Sequence, residues 1–164
     1  MILAAAKIFA IISIISTGAI FGFFYAYYCS VMWGLDASSP RSAIHAMQNI
    51  NQSVRNPVFF PTFFLTPAFI LITAMLSYFV SRSGWWFVAG AITYIAGGAI
   101  LTNITNVPLN AWLAEIKTPQ NMEVAKEIWR QYSANWQGWN LTRMIASGLT
   151  LVFISIGVMN LGKN

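Results

Sequence analysis

Charged residues are scarce in this chain of 164 residues, at 8% of the total, with four acidic side chains and nine lysines or arginines. Soluble domains carry about 25% charged residues, so the composition excludes an ordinary soluble domain. The net charge of +5 is not gathered in a basic patch, and we therefore expect no nucleic-acid partner. With 57% hydrophobic residues, the chain is instead expected to contact a lipid bilayer.

Histidine and cysteine each occur once, as His45 and Cys29. A single cysteine cannot form an internal disulfide, and a single histidine excludes a multi-histidine metal site or a haem with two histidine ligands. The sequence also has no Gly-rich phosphate loop, no paired carboxylates at membrane depth and no nucleophile triad. These absences argue against hydrolase and NTPase functions, and we expect neither a metal nor a cofactor.

The few charges that are present leave four stretches of 19 to 32 residues without a charge. These stretches are residues 8–35, 56–81, 83–114 and 144–162. A helix needs roughly 20 apolar residues to cross the hydrocarbon core of a bilayer, and the first stretch is too long for a signal peptide. The sequence therefore predicts a single integral membrane domain over residues 1–164. Its spans are expected at about 8–33, 58–80, 85–107 and 139–161.

A polar segment follows the first span. Ser39 and Pro40 are typical of a helix start, and apolar and polar side chains then recur at helical spacing up to Pro57. The pattern predicts an amphipathic helix that lies on the membrane or caps the bundle. His45 falls on its polar face, and Asn51 falls at the edge of its apolar face.

A second polar segment, residues 115–135, holds three of the four acidic residues. Thr118 and Pro119 repeat the helix-start signal. Seven residues then recur at steps of three and four and predict one continuous helix leading into the last span. They are Met122, Ala125, Trp129, Tyr132, Trp136, Trp139 and Arg143. The predicted fold class is all-α: a transmembrane four-helix bundle with an amphipathic helix between spans 1 and 2 and a polar helix leading into span 4.

Small residues recur at every fourth position of the first span from Gly18 to Gly34, and include the GxxxG pair Gly18 and Gly22. Small residues let membrane helices approach closely. Packing within the bundle is the favoured interpretation. The alternative is that the Gly18/Gly22 face binds a second copy of the chain or a partner membrane subunit.

The third span ends in LTNITNVPLN, where three asparagines share one helical face. Amides inside a membrane bundle gain roughly 1 kcal/mol by bonding across helices. We expect Pro108 to end the helix, Asn103 to be structural, and Asn106 and Asn110 to point across the bundle toward the fourth span.

Arg143 lies about four residues into the last apolar run, where an arginine is costly unless it faces a polar interior or reaches the surface. Snorkelling from the helix end is one interpretation. The other is a cationic, donor-rich pocket that Arg143 forms with Asn140 and the asparagines of span 3. Trp136 and Trp139 would cover such a pocket, which suits an anionic or enolate-like ligand.

Three stretches of the sequence carry a resemblance to a known family. They are MQNINQSVRNP (47–57), TNVPLN (105–110) and NWQGWNLTR (135–143). Their order, with four hydrophobic spans around them, resembles the anthrone oxygenase-like family of small integral membrane proteins, most of them bacterial and of unknown function. The positions that match are Asn51, Asn56, Pro57, Asn106, Pro108, Asn110, Trp139, Asn140 and Arg143.

The resemblance implies a four-helix membrane bundle and, in the named members, oxidation of an anthrone to an anthraquinone by O₂ without a dedicated cofactor. Such chemistry needs an apolar slot, a base and donors for an enolate oxygen. Many members have a histidine after the Trp-Asn pair, where this chain has Leu141, so His45 is the one imidazole left. The resemblance also suggests an integral protein of the bacterial inner membrane.

Two functions remain open at this point. One is a membrane oxygenase acting on a hydrophobic aromatic or quinone-like small molecule. The other is a non-catalytic membrane subunit that binds a lipid, quinone or pigment, or braces a larger complex. The candidate catalytic residues are Arg143, Asn140, Asn110, Asn106 and His45. The candidate substrate-binding residues are Trp136, Trp139, Asn51 and Tyr132.

Overall fold

The structure, a computed structural model, describes residues 1–163, which form five helices joined by short connections. The helices are α1 (Ile2–Asp36), α2 (Pro40–Ser53), α3 (Phe59–Tyr78), α4 (Gly84–Glu115) and α5 (Met122–Asn160). α1, α3, α4 and α5 are long and apolar enough to cross a membrane. The predicted all-α bundle of four spans, with an amphipathic helix between the first two, is confirmed.

The four long helices pack in the order α1, α3, α4, α5 around the bundle, and α5 closes the ring against α1. α2 lies across one end, where it contacts α5 and the last turns of α1 and α4. Its buried face consists of Ala43, Ile44 and Met47, none of which is exposed. The amphipathic helix is therefore a cap on one end of the bundle, held there by burial of that apolar face.

The starts of α2 and α5 are fixed by capping side chains. Ser39 accepts a hydrogen bond from the backbone N–H of Ser42, and Pro40 follows at the first helical position, as predicted. α5 begins at Met122 because the side chain of Asn121 accepts the N–H groups of the next turn. The predicted start at Thr118–Pro119 is therefore wrong, although α5 does run without a break from the polar segment into the last span.

α4 does not end at Pro108, which corrects the sequence-based prediction. A π-helical stretch, Thr102–Asn106, comes directly before an α-helical segment, Val107–Glu115, and Pro108 lies in the first turn of that segment. A residue in the first turn can do without a hydrogen bond from its N–H, so proline is tolerated there. The helix consequently continues past the three asparagines, of which Asn106 is buried, Asn110 is partly buried and Asn103 is exposed.

The small residues of α1 do not pack within the bundle, which corrects a second prediction. Gly22 and Gly34 are exposed, and no atom lies within 4 Å of the Cβ position of Gly18, Gly22 or Gly34. The helix instead turns another stripe inward, at steps of four and three residues: Ser13, Thr17, Ile20, Phe24 and Tyr27. Binding of a second copy or partner subunit to the outward Gly18/Gly22 face stays a prediction.

Close approach of helices occurs at other glycines. A Cβ added at Gly97 of α4 would lie 2.4 Å from the Cβ of Ala146 in α5. A Cβ added at Gly157 of α5 would lie 2.8 Å from the ring of Phe87. These two glycines let α4 and α5 pack against each other along most of their apolar length.

Candidate functional site

A cavity of about 500 Å³ opens inside the bundle beneath α2. Its apolar wall is mainly aromatic, and its polar lining comes from asparagine, arginine and threonine. The aromatic residues are Phe23, Phe24, Tyr27, Phe59, Phe60, Phe63, Phe64 and Trp136. The polar residues are Asn51, Arg55, Thr102, Asn103, Asn106, Asn110 and Arg143. This volume falls within the range of small-molecule pockets, roughly 300–1,000 Å³.

Arg143 lies at the inner end of this cavity, on α5. Its side chain is 5% exposed, so it does not snorkel to the membrane surface. One terminal nitrogen donates to Asn140 Oδ1 at 3.2 Å, the other donates to Thr102 Oγ1 at 3.5 Å, and Nε is buried without a hydrogen-bond partner. The guanidinium carbon lies 4.5 Å from the ring centroid of Phe24 and 5.2 Å from that of Trp136.

No carboxylate compensates this buried charge. The one ion pair found among residues 1–163 joins Arg130 to Glu127 on the exposed face of α5. The hydrogen-bond acceptors that Arg143 does have are neutral, and the two aromatic rings contribute only cation–π attraction. An uncompensated cation inside a membrane bundle is costly. The electrostatics of the cavity therefore favour a ligand that carries a negative charge or develops one.

Asn140 holds the guanidinium in place. It is buried one turn before Arg143, and its Nδ2 donates to the backbone carbonyl of Phe24 at 3.0 Å. That bond orients the amide so that Oδ1 faces Arg143. Because Asn140 does not line the cavity, its position fits a residue that acts through Arg143 and not by contact with a ligand.

Asn110 belongs to a separate hydrogen-bond network that joins α4, α5 and α2. Its Oδ1 accepts hydrogen bonds from the hydroxyl of Tyr132 at 2.8 Å and from Nε1 of Trp136 at 3.0 Å. The Tyr132 hydroxyl in turn accepts from Nδ2 of Asn51 at 3.1 Å. With Oδ1 occupied twice, the NH₂ group of Asn110 is left as a donor for the cavity.

Asn106 and Asn110 point across the bundle to α5, as predicted, but they bond to Trp136 and not to Arg143, which Thr102 contacts instead. Asn106 is buried, accepts from Thr105 at 3.0 Å and approaches the carbonyl of Trp136 at 3.5 Å. Asn103 bonds back to the carbonyl of Ala99 in its own helix, in agreement with a structural role. The π-helical turns around them change the angular spacing of these side chains, which a regular helical pattern cannot anticipate.

A family model described as anthrone oxygenase matches residues 53–153, more than half of the chain. The chain belongs to the anthrone oxygenase family. No curated protein and no solved structure matches it. The match covers α3, α4 and most of α5, and thus includes Arg143 and the asparagines of α4, whereas the cavity residues of α1 lie outside it. The resemblance seen in the sequence is confirmed.

Two of the candidate residues lie away from the cavity of this anthrone oxygenase family member. His45 is exposed on α2, where its ring bonds to the amide of Asn49. Trp139 is 41% exposed on the outer side of α5. The helical stripe through Trp136 and Trp139 is broad, and only its Trp136 edge faces the cavity. The structure thus separates His45 and Trp139 from Arg143.

Several cavity residues were not anticipated from the sequence. Phe24 and Tyr27 of α1 and Phe63 of α3 are not among the residues that the sequence singled out. A signal for the first two was present, because they continue the inward stripe that starts at Ser13 and advances by four and three residues. Thr102 carried no signal of its own, since its contact depends on the π-helical turn it begins.

No metal site is visible within residues 1–163, where no three His, Cys, Asp or Glu side chains gather. The cavity lining also contains neither an imidazole nor a carboxylate. Independence from a metal or cofactor stays a prediction. What the lining offers chemically is an aromatic slot, one buried cation and several amide donors.

Proposed function

We propose that this protein is a membrane-embedded oxygenase that converts a hydrophobic, anthrone-like aromatic ketone to a quinone. The observation that supports this most is the buried, uncompensated Arg143 at the inner end of an aromatic cavity, in a chain of the anthrone oxygenase family. The four apolar helices place the protein in a membrane, and we propose the inner membrane of a bacterium.

The chemistry requires charge stabilisation above all. The CH₂ group of an anthrone loses a proton, and the negative charge moves onto the ketone oxygen across the ring. That enolate is the negatively charged partner that Arg143 lacks. Electrostatic stabilisation of the enolate by Arg143 lowers the barrier to enolate formation. Oxygen then adds to the carbanion carbon, and loss of water gives the quinone: anthrone plus O₂ becomes anthraquinone plus H₂O.

The remaining residues have distinct roles in this proposal. Asn140 positions the guanidinium through the bond to its Oδ1. The NH₂ groups of Asn106 and Asn110 donate to further oxygen atoms on the substrate. Trp136 and Phe24 contact both the guanidinium and the aromatic rings. The proton is taken by water or hydroxide that enters the cavity, because the lining holds no imidazole or carboxylate.

That same lack of a base supports a second candidate function, a non-catalytic membrane subunit that binds a hydrophobic ligand with an anionic or electron-rich oxygen, such as a lipid, a quinone or a pigment. General bases typically contribute 10²–10⁴-fold to enzymatic rates. A binding protein would have no need of one, while Arg143 and the aromatic wall would serve it equally well.

An assay of anthrone oxidation separates the two candidates. The purified protein is placed in lipid nanodiscs, and anthraquinone formation and O₂ consumption are followed together. The oxygenase should exceed empty nanodiscs, and Arg143→Gln should lower the excess rate by about 100-fold, in line with loss of an oxyanion donor. His45→Ala is the matched control and should keep the wild-type rate, because His45 lies outside the cavity.

Each other result has a definite meaning. Anthrone that binds without conversion supports the non-catalytic candidate. A rate that collapses in His45→Ala would contradict the arrangement proposed here, and absence of any binding would contradict both candidates.

A further inference from the structure

The cavity has an opening on the side of the bundle that faces lipid. Phe60 and Phe64 of α3 line it and are 43% and 52% exposed. Across the gap, Val107 of α4 lines it and is 40% exposed, and Asn103 is also exposed. Side chains that line a cavity and are exposed on the outer surface of the bundle mark its mouth.

The opening follows from the unequal lengths of the two helices beside it. α3 has 20 residues and α4 has 32. They pack tightly near the connecting turn, where a Cβ at Gly84 would lie 3.2 Å from the carbonyl oxygen of Ala74. Near the start of α3, the hydroxyl of Tyr94 donates to the carbonyl of Phe63. Beyond that bond α4 continues past the start of α3, and α2 covers α1, α4 and α5 but not this gap.

The rim of the opening has an apolar and a polar side. Phe60, Phe64 and Val107 form the apolar side, while Arg55, just after α2, and Asn103 supply polar groups. Because α3 begins at Phe59, Phe60 and Phe64 lie in its first two turns. In a helix that crosses a membrane, we expect these turns near the boundary between headgroups and hydrocarbon. Aromatic molecules with a polar group concentrate at that depth, as amphipathic aromatic side chains do.

The opposite side of the cavity is closed by a wall. A second cavity of about 490 Å³ lies there between α1 and α3, with Ala19 among its lining residues. The ring centroid of Phe23 lies 5.0 Å from that of Tyr27 and 4.8 Å from that of Phe59, and these three side chains line both cavities. They separate Arg143 from the second cavity.

We propose that the gap between α3 and α4 is a lateral portal through which an apolar aromatic ligand passes directly between the bilayer and Arg143. This inference rests on the proposed function, since it assumes that the cavity takes such a ligand. The portal spares the ligand a passage through water. It also predicts that the ligand is drawn from the pool dissolved in the membrane rather than from the aqueous phase.

The test compares two tryptophan substitutions on neighbouring positions of α4. Val107→Trp places a bulky side chain in the portal, whereas Ile104→Trp places it on an exposed position that does not line the cavity. Anthrone is delivered from donor vesicles to nanodiscs under argon, and its association and dissociation rates and its Kd are measured. Argon prevents oxidation, so binding alone is observed.

Val107→Trp should slow association and dissociation alike by about tenfold, a change within the range by which mutants of one site alter association rates. Because Val107 lines the cavity, the decisive sign of a narrowed passage is that dissociation slows together with association. Ile104→Trp should leave both rates at the wild-type values. A substitution that instead damaged the binding site would raise Kd.

Other outcomes overturn the inference. Wild-type rates in Val107→Trp with normal Kd would show that the ligand does not pass this gap. Slowing by Ala19→Trp instead would place the route between α1 and α3. If anthrone does not bind to the wild type at all, the proposed function fails, and the portal fails with it. If anthrone binds normally to the wild type and Val107→Trp leaves the association and dissociation rates unchanged, the portal alone is overturned.

Discussion

Buried polar groups form different kinds of hydrogen bond at the two ends of the bundle. Toward the connection between α3 and α4, buried hydroxyls mostly bond to a carbonyl of their own helix, as Thr150 does to Ala146 and Ser77 does to Thr73. Beneath α2, polar groups bond across helices, as Asn140 does to the Phe24 carbonyl and Tyr132 does to Asn110. The first arrangement satisfies most of these groups locally, although Thr150 also bonds to the carbonyl of Gly90, Ser13 also bonds to Thr73, and Thr17 Oγ1 on α1 has no partner.

The second arrangement is incomplete. Arg143 Nε has no partner there, and the NH₂ group of Asn110 faces a cavity. At the packed end, in contrast, Gly157 allows the ring of Phe87 to fill the space between α4 and α5. One half of the bundle therefore has hydroxyls bonded mostly to their own helices, and the other half has unused hydrogen-bonding capacity. The unused capacity is what a ligand can satisfy.

The largest effect is expected from removing the charge at the open end. Arg143→Met keeps a long side chain and deletes the uncompensated cation, so the free energy of unfolding should rise by about 1–4 kcal/mol, as when buried ionic groups are replaced by apolar ones. Reversible unfolding in bicelles measures this. The same variant should lose stabilisation by added ligand, and a variant less stable than the wild type would contradict the view that Arg143 is uncompensated.

A smaller effect is expected where α4 and α5 meet. Gly97→Ala would place its Cβ 2.4 Å from that of Ala146, and overpacking of this kind should lower the free energy of unfolding by about 1–3 kcal/mol. Adding Ala146→Gly to the variant should restore most of the loss. The measurement is again unfolding in bicelles.

Gly138→Ala is the matched control for that substitution. No atom lies within 4 Å of a Cβ at Gly138, so only the backbone preference changes, and the free energy of unfolding should rise by about 0.5–1 kcal/mol. Equal effects of Gly97→Ala and Gly138→Ala would refute the close contact between α4 and α5.

The smallest effect is expected from the hydrogen-bond network of Asn51, Tyr132 and Asn110. Tyr132→Phe removes the hydroxyl that accepts from Asn51 and donates to Asn110, and the Asn110 amide is then free to rotate. Ligand affinity should fall by up to about tenfold, since one hydrogen bond contributes roughly 0.5–1.5 kcal/mol. Tyr28→Phe, on the exposed side of α1, should leave affinity unchanged in the same titration.

The sequence predicts the fold well because the bilayer imposes a simple rule. Four uncharged stretches define four spans, and Ser39 with Pro40 marks the start of α2, since a capping side chain and a fixed φ act locally. Pro108 shows where local rules fail. A preceding π-helical turn supplies the geometry that accommodates the proline, and nothing in the residue pattern announces that turn.

The site is only partly predictable for the same reason. The position of Arg143 in an apolar run leaves two alternatives, snorkelling and burial, and the structure shows burial. Its link to Asn140 follows from helical spacing. Its contact with Thr102 and the outward direction of Trp139 depend on how whole helices rotate against each other, whereas the exposure of His45 follows from its place on the polar face of α2. The small residues of α1 illustrate this most clearly, because spacing gives a face but not the direction in which that face points.

The preference of the cavity for an ionised ligand tests the proposed role of Arg143 most directly. Binding of 1-hydroxyanthraquinone, under conditions that ionise its hydroxyl, is compared with binding of 1-methoxyanthraquinone, for the wild type and for Arg143→Gln in nanodiscs. The wild type should favour the ionised ligand by about 10–100-fold, as expected for a hydrogen bond between charged groups of roughly 1.5–3 kcal/mol, and Arg143→Gln should bind the two ligands equally. Equal binding by the wild type, or a preference that persists in Arg143→Gln, would contradict that role.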